Sequence, residues 1–456
     1  MKDEISTAPL EALLAEMWQA VAGGADGAPV AMVGTDTLPS VFAVSDLAAA
    51  AIATAGRAVM DFAEIDGTLT VDRRLASFWF GMSVAPTGWP LPPVWDVVAG
   101  DYQAADGWIR LHTNAPHHRA AALLVLGTAP DRAEVTAAVA HWSSDALEAA
   151  IVAAGGCAAA MRDAAAWRQH PQGAASAAEP LLTWSELAGE PRDAEPLQPA
   201  RPLAGIRVLD LTRILAGPIA TRFLAAFGAE VLRLDPPDWA EPSLEAEVTL
   251  GKRCARLDLK SDGGRGRFLE LLAGADILIH GYRPDALDRL GLGAEVRAAA
   301  RPGLVDIALD AYGWTGPWAG RRGFDSLVQM SAGIAAAGMA ERALDRPGPL
   351  PVQALDHATG YLLAAAAVQG LARRRNGGGH AARASLARTA HLLLQHPSEM
   401  TTNPLTRPIA DDYAPDLEQT PWGPARRLRP PLSLPGAPMR WDRPASALGS
   451  AEPAWS

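Results

Sequence analysis

Between residues 202 and 310, short apolar runs alternate with segments in which apolar positions recur every three or four residues. This pattern predicts strands at residues 206–211 and 230–234 on either side of an Ala- and Leu-rich helix at 220–227, which ends at Gly228. A strand, helix, strand unit of this kind joins its two strands in parallel. We therefore predict an α/β fold with a parallel, Rossmann-like sheet.

Further apolar runs extend the predicted sheet to at least five strands. They occupy residues 255–259, 277–280 and 304–309, with a helix at 264–272 between the first two. The turn after the first strand reads Arg213-Ile-Leu-Ala-Gly-Pro218, without the three glycines of a dinucleotide fingerprint. We therefore do not expect a nicotinamide enzyme.

The remaining segments differ in pattern and suggest a division of the chain into five parts. A hairpin turning at Asp106-Gly107, followed by short Ala-rich amphipathic segments, predicts a smaller α+β domain. A Pro- and acid-rich stretch without periodicity predicts a linker, and the Pro-rich tail is expected to cross a surface. The predicted parts are an N-terminal segment at 1–100, the small domain at 101–190, the linker at 191–201, the Rossmann-like domain at 202–395 and a C-terminal return segment at 396–456.

A weak internal repeat links the N-terminal segment to the Rossmann-like domain. Asp46 and Asp356 each stand where an Ala-rich helix should begin. A Leu-Ala pair follows each Asp about 30 residues later, so the two segments resemble each other at the same spacing. The chain thus carries two versions of one helical element. A helix-capping role is the simplest interpretation of Asp46, because Asp is a favoured N-cap.

Composition restricts the classes of protein that the chain can represent. A net charge of −11 argues against nonspecific nucleic-acid binding, which needs a basic surface. The apolar runs are far shorter than the roughly 20 residues of a membrane span, and Met1-Lys-Asp-Glu4 lacks the features of a signal peptide. With only two cysteines, we expect a cytoplasmic protein without disulfides. The histidines lack metal-site spacing, so we expect no metal.

Several motifs of the second half resemble those of the family III CoA-transferases. This group includes formyl-CoA transferase and carnitine CoA-transferase and is homologous to α-methylacyl-CoA racemase. The matching text is Pro202-Leu-Ala-Gly-Ile-Arg-Val-Leu-Asp-Leu-Thr212, Leu215-Ala-Gly-Pro218, Gly251-Lys-Arg253, Leu257-Asp-Leu-Lys260, Tyr282-Arg-Pro284, Leu287-Asp-Arg-Leu-Gly291 and Gly323-Phe-Asp325.

The resemblance implies an enzyme that transfers coenzyme A between carboxylic acids. In the family, the Asp at the position of Asp356 attacks the acyl-CoA thioester, giving first an aspartyl anhydride and then an aspartyl-CoA thioester. Coenzyme A is the implied substrate, and two interlocked chains are the implied assembly. In the usual order the small domain follows the Rossmann-like part, whereas here it precedes it. We therefore predict a rearranged order similar to a circular permutation.

The resemblance also points to residues that would bind the coenzyme. Cations suit its phosphates, and an aromatic ring offers a stacking face for adenine. The implied residues are Arg213, Ile214, Ala216, Arg233, Leu257, Lys260, Tyr282 and Arg289.

Three alternatives stay open at this point. Asp356 could simply cap its helix. The chain could be a non-catalytic acyl-CoA-binding relative, because Leu215 replaces a Gln of formyl-CoA transferase and His280-Gly281 replaces the more usual Glu-Asn. A racemase needs two acid/base groups, usually including the His of a Gly-His-Asp motif, but Phe324 occupies that position. His357 is a conceivable substitute for that His, but we prefer a transferase to a racemase.

Overall fold

The computed structural model describes residues 8–24, 26–187, 189, 198–399 and 404–456. Most of the predicted linker, residues 191–197, lies outside these ranges. The N-terminal part contains α1 (Ala8–Ala22), β1 (Val30–Val33), α2 (Val44–Ala63), β2 (Leu69–Asp72), α3 (Arg73–Trp79) and β3 (Val84–Pro86).

The next part of the chain contains the predicted hairpin. Its elements are β4 (Gly100–Gln103), β5 (Trp108–Leu111), α4 (Pro116–Leu126), α5 (Arg132–Val139), α6 (Ser144–Ala153), β6 (Ala158–Ala160), α7 (Ala164–Gln169), α8 (Pro171–Ala178) and β7 (Thr183–Leu187). β4 and β5 pair antiparallel across the predicted turn, and β6 adds a third strand. Val135, Leu147 and Ile151 pack a core on this sheet. The predicted hairpin is confirmed.

The sequence from 207 to 310 then builds the predicted α/β region. Its elements are β8 (Arg207–Leu211), α9 (Ala216–Ala226), β9 (Glu230–Asp235), α10 (Glu245–Val248), β10 (Lys252–Arg256), α11 (Asp262–Ala273), β11 (Ile277–His280), α12 (Ala286–Arg289), α13 (Ala294–Ala300) and β12 (Val305–Asp310). The third strand begins earlier than the apolar pattern indicated, because the Lys252 side chain is buried against Asp210 at 3.0 Å.

The rest of the chain completes the core and then returns across the N-terminal part. Its elements are α14 (Asp325–Ser331), α15 (Ile334–Glu341), α16 (Ala354–Arg374), β13 (Gly379–Ser385), α17 (Leu386–Leu394), a short 3-10 helix (Ala410–Asp412), β14 (Tyr413–Thr420), β15 (Gly423–Leu428) and β16 (Leu432–Ser433). β15 pairs with β3, and β16 pairs with β2.

The large sheet has seven strands in the order β10-β9-β8-β11-β12-β13-β7. All neighbours are parallel except β7, which runs antiparallel to β13 at the edge. β7 therefore belongs to the large sheet, although it lies within the segment predicted as the small domain. The α/β fold class predicted from the alternating pattern is confirmed.

The two helices of the internal repeat pack against each other at the centre of the molecule. α2 and α16 are almost entirely buried. The residue before each helix has nearly the same backbone conformation, with φ −73° and ψ 55° at Ala43 and φ −77° and ψ 66° at Gln353. Each helix is followed by a strand and a second helix, β2 and α3 in one case and β13 and α17 in the other.

No helix within the described ranges is both long enough and apolar enough to cross a bilayer.

Candidate functional site

A cavity of about 970 Å³ opens at the carboxyl ends of the parallel strands. Its lining includes residues 213–215 after β8, Pro236 and Asp238 after β9, residues 257–260 after β10 and Tyr282 after β11. Strand order reverses direction at β8, since β9 lies on one side and β11 on the other. In open α/β sheets, such a switch point is the usual place for a ligand.

The loop after β8 is held in a strained conformation at the cavity wall. Ile214 has φ of 68°, which is a true outlier for a β-branched residue. Its N–H donates to Glu241 at 2.8 Å, and the Glu241 carboxylate also forms an ion pair of 2.6 Å with Arg233. Strain of this kind persists where surrounding contacts enforce it, often at functional sites.

Arg233 does not reach the cavity, in contrast to its predicted role in coenzyme binding. It lies within β9, its side chain is fully buried, and it also contacts Asp235 at 2.8 Å. Both neighbouring carboxylates already neutralise its charge. Through Glu241, Arg233 instead supports the backbone of the Ile214 loop.

Arg213 and Tyr282 both line the cavity and contact each other. The Arg213 guanidinium donates to the Tyr282 hydroxyl at 3.0 Å and lies 5.3 Å from the centre of its ring. On another side, the same guanidinium lies 5.0 Å from the ring of Trp239. Trp239 also lines the cavity, and the motif comparison did not single it out. A cation between aromatic rings suits a nucleotide or its phosphates.

The other predicted coenzyme residues divide into two groups. Leu257 and Lys260 line the cavity, and Lys260 is exposed, with no ion pair within the described part of the chain. Ala216 begins α9 and is buried beneath the loop instead of facing the cavity. Arg289 does not line the cavity, although Leu290 beside it does, and it forms an exposed ion pair of 2.5 Å with Asp285.

Asp356 is the third residue of α16, and its side chain lines the cavity. It is only 8% exposed, and its carboxylate has no hydrogen bond or ion pair to any residue in the described ranges. Burial raises the pKa of Asp356 well above its usual range, and the neighbouring charge of Asp325 raises it further. The capping interpretation is wrong, because the N-cap is Gln353 and Asp356 accepts no backbone N–H.

Asp325 takes the capping role from a neighbouring helix. It accepts the Asp356 N–H at 2.9 Å and the Gln329 side-chain amide at 2.5 Å. Burial raises the pKa of Asp325 to about 6, although these hydrogen bonds oppose the shift. The sequence offered the triplet Gly323-Phe-Asp325 as a motif, but nothing in it indicated that Asp325 would cap α16.

Asp46 and His357 occupy environments unlike that of Asp356. Asp46 forms a buried ion pair of 2.5 Å with Arg73, and Ala43, not Asp46, is the N-cap of α2. The capping interpretation of Asp46 is therefore wrong as well. His357 is buried against Phe80, and burial lowers its pKa to about 3. Neither residue lines the cavity.

The wall that lies across from the strand ends comes from residues 93–96 and 112–117 of the first half of the chain. His112 stacks on Phe324 with ring centres 3.7 Å apart, and Trp95 meets His112 edge-on at 5.8 Å. No motif marked these residues in the sequence. They meet the Asp356 side of the cavity only through long-range packing.

Fold and site together define an α/β protein with a ligand crevice at the switch point of its sheet and an unpaired carboxylate in that crevice. Residues 203–411 match the family model described as CoA-transferase family III. These residues make up just under half of the chain, and the match agrees with the resemblance that the motifs carry.

Curated relatives and solved structures also match part of the chain. The chain is 35% identical over 192 residues to Acetyl-coenzyme A transferase nodX of Hypoxylon pulicicidum, covering 40% of this chain and 32% of that protein. It is 34% identical over 182 residues to the Succinyl-CoA--L-malate CoA-transferase alpha subunit of Chloroflexus aurantiacus, covering 36% and 42%. The chain thus spans less than half the length of these relatives.

The crystal structure of Rv3272 from Mycobacterium tuberculosis is 31% identical, with a TM-score of 0.38 over 42% of this chain and 55% of that one. A CAIB/BAIF family protein from Brucella suis is 25% identical, with a TM-score of 0.38 over 49% and 65%.

Proposed function

We propose that the protein is an acyl-CoA:carboxylate CoA-transferase in which Asp356 is the nucleophile. The observation that carries the proposal is the Asp356 carboxylate itself, which lines the cavity without a partner while Asp46, at the same position of the matching helix, is paired. A structural carboxylate at such depth is normally hydrogen-bonded or ion-paired. An unpaired one in a crevice suits a group that forms a bond during turnover.

The proposed reaction begins when a carboxylate oxygen of Asp356 attacks the carbonyl carbon of an acyl-CoA. The new C–O bond replaces the C–S bond and releases the coenzyme A thiolate. The thiolate then attacks the Asp356 carbonyl of this anhydride, forming an aspartyl-CoA thioester and releasing the donor acid. Keeping the thiolate in the cavity makes this second attack effectively intramolecular.

The acceptor acid repeats the sequence in reverse. Its carboxylate attacks the aspartyl-CoA thioester, regenerating an anhydride and the thiolate. The thiolate attacks the acceptor carbonyl, which yields the new acyl-CoA and restores the Asp356 carboxylate. No net proton is taken up or released, so no second acid/base group is required.

In this proposal, the coenzyme lies along the strand ends. Arg213, Tyr282 and Trp239 would hold the nucleotide, and Lys260 would contact phosphate. The desolvated carboxylate is a stronger nucleophile once ionised, because its pKa is raised. Asp356 lies in the first turn of α16, where the positive end of the helix dipole favours its anion.

Each chain would hold a complete cavity, because both walls come from the two halves of the same chain. We propose that an interlocked homodimer, if it forms as the resemblance implies, contains two such cavities. Light scattering on the purified protein, with turnover measured at the same concentrations, tests this assembly. Full activity per chain in a monomeric sample would show that the partner is dispensable.

Trapping the acylated side chain tests the nucleophile. The protein is incubated with an acyl-CoA and hydroxylamine, digested, and analysed by mass spectrometry. We expect a hydroxamate on Asp356 and none on Asp46, which serves as the internal control. Unmodified protein that still binds coenzyme A in calorimetry would instead support a non-catalytic binding protein.

A further inference from the structure

An aromatic strip leads from the mouth of the cavity to Asp356. It consists of Trp95, His112 and Phe324, all of which line the cavity. Trp95 is 39% exposed at the mouth, and its ring meets His112 at 5.8 Å. His112 stacks on Phe324 at 3.7 Å, and Phe324 immediately precedes the Asp325 that binds the Asp356 backbone. The strip therefore ends beside the proposed nucleophile.

The mouth of this strip is unusually apolar for an exposed surface. Val94, which also lines the cavity, is 45% exposed, and Val97, two residues after Trp95, is 63% exposed. Solvent-exposed apolar side chains gathered beside a cavity usually mark a binding surface for an apolar group.

Two arginines at the Trp95 end of the strip are already paired. Arg110 lies 4.7 Å from the Trp95 ring but forms an ion pair of 2.6 Å with Asp101. Arg119 forms an ion pair of 2.8 Å with Asp96. A second carboxylate beside Trp95 would have to compete with these acids for Arg110 or Arg119. The ion pairs thus disfavour a dicarboxylate at this end of the strip.

One polar atom of the strip has no partner. Nδ1 of His112 is buried without a hydrogen bond among the described residues, although His112 as a whole is 5% exposed and lines the cavity. Burial, with Arg110 and His118 nearby, lowers the pKa of His112 to about 3, so the ring is neutral. A neutral imidazole offers one donor and one acceptor.

We propose that the strip binds the acyl group and selects an apolar monocarboxylic acid, carrying an aromatic ring or an alkyl chain, with His112 hydrogen-bonding the oxygen of the thioester carbonyl. This inference rests on the proposed transferase function and adds its substrate class. Trp95 and Phe324 would pack against the apolar body of the acid. His112 would act as a positioning residue, because it touches the part of the ligand that all acyl groups share, whereas Trp95 and Phe324 would carry the selection.

Binding to the Asp356→Asn variant, in which the proposed transfer is blocked, tests the selection. Calorimetry compares coenzyme A alone, phenylacetyl-CoA, hexanoyl-CoA and succinyl-CoA. We expect the two apolar thioesters to bind about tenfold more tightly than succinyl-CoA, a ratio typical of a shaped apolar pocket. Adding Trp95→Ala should remove most of this preference and leave the affinity for coenzyme A unchanged.

Two further variants separate the contribution of the His112 hydrogen bond from nonspecific effects of mutation. His112→Phe keeps the ring stack and removes the hydrogen bond, so it should weaken all three thioesters but not coenzyme A. Leu124→Ala, on the exposed face of α4 and away from the cavity, is the matched control and should change nothing.

The outcomes distinguish this inference from the function on which it rests. Coenzyme A binding together with equal or tighter binding of succinyl-CoA overturns the substrate class alone. The substrate class alone is also overturned if Trp95→Ala weakens the binding of coenzyme A and of all the thioesters by the same factor. Failure to bind coenzyme A at all would overturn the proposed function and this inference together.

Discussion

The two aspartates of the internal repeat show how the surroundings of a residue decide its role. Asp46 and Asp356 are each the third residue of a buried helix that follows the same backbone turn. Arg73 forms an ion pair of 2.5 Å with Asp46, whereas Asp356 lines a cavity and has the carboxylate of Asp325 as its neighbour. The paired residue is suited to stability and the unpaired one to chemistry.

Replacing Asp356 with Asn should stabilise the protein at neutral pH while abolishing transfer. A buried carboxylate with a raised pKa binds its proton more tightly in the folded state, so the free energy of unfolding falls as pH rises through the shifted pKa. Because Asn does not ionise, the variant does not lose this part of its free energy of unfolding as the pH rises. We expect a gain on the order of 1 kcal/mol above that pKa. Thermal unfolding across pH checks this, and the gain should vanish in acid. A variant less stable than the parent at every pH would contradict the interpretation.

The acid limb of the pH profile should depend on Asp325. Transfer requires ionised Asp356, so kcat/KM should fall as pH decreases through the raised pKa of this residue. Asp325→Asn removes a neighbouring negative charge and should move the acid limb to lower pH. The amide oxygen can still accept the Asp356 N–H, which preserves the cap. An acid limb that stays in place or moves to higher pH would show that the two carboxylates are not coupled.

Sequence reasoning placed the proposed nucleophile in the cavity more successfully than it identified the surroundings of that residue. Asp356 was recognisable because motif order and an Ala-rich helix start coincide there. Arg233 could not be assigned correctly, because only the fold shows that two carboxylates surround it. Trp95 and His112 carry no local motif and become part of the site only through packing across the chain.

At the scale of elements, the site depends on the close approach of α9 and α16. Gly360 of α16 faces the first turn of α9, and an added Cβ would lie 2.4 Å from the Ala216 carbonyl oxygen. Ala216 directly follows the 213–215 loop of the cavity. The glycine thus lets α16, which carries Asp356, lie against the 213–215 loop.

Gly360→Ala should therefore cost about 1–3 kcal/mol of stability through overpacking, and it should also weaken coenzyme A binding. Gly266→Ala in α11 is the matched control, because an added Cβ there meets no atom within 4 Å. We expect this control to gain about 0.5–1 kcal/mol from helix propensity. Urea unfolding and calorimetry measure both effects. Equal stability of the two variants would disprove the close-packing argument.

Most elements of the large sheet follow from periodicity, and the exceptions have physical causes. β10 begins with Lys252, a charged residue that the apolar pattern does not include in a strand. In the structure its amine donates to Asp210 and to the Pro218 carbonyl, which allows it to be buried. β7 is short and partly exposed, and it pairs with β13 almost 200 residues later in the chain. Neither feature is visible in a local pattern.

At the scale of the whole molecule, a buried charge network ties distant parts of the chain together. Glu247 contacts Arg222, lies 3.2 Å from Arg427 and accepts from the Ser83 N–H at 2.9 Å. These groups come from the N-terminal part, the large domain and the return segment. The network holds the segment that leads into the Trp95 wall against the α/β region.

Glu247→Gln should destabilise the protein by about 3–5 kcal/mol, because it leaves the buried Arg222 guanidinium without its counter-charge, whereas Arg427 keeps its ion pair of 2.7 Å with Glu418. Glu270→Gln is the control, since its ion pair with Arg267 lies on the surface, and it should change stability by less than about 1 kcal/mol. Denaturant unfolding compares the two. A similar small effect in both variants would mean that the network contributes little to joining these segments.

The arrangement of the whole chain was the least accessible to sequence reasoning. The motifs resemble a known family only in the second half of the chain, but the cavity also needs residues 93–96, 112 and 114–117. A rearranged domain order and an interlocked dimer stay predictions. They concern the relation of this chain to its curated relatives, and it spans less than half the length of the two described above.

Oxygen exchange during turnover tests the central claim most directly. If Asp356 is the nucleophile, an acceptor acid labelled with ¹⁸O in its carboxylate leaves one labelled oxygen on Asp356 each time the anhydride is resolved. Mass spectrometry of the digested protein should find the label in the Asp356 peptide and not in the Asp46 peptide. Continued production of acyl-CoA with no label in Asp356 would contradict the account.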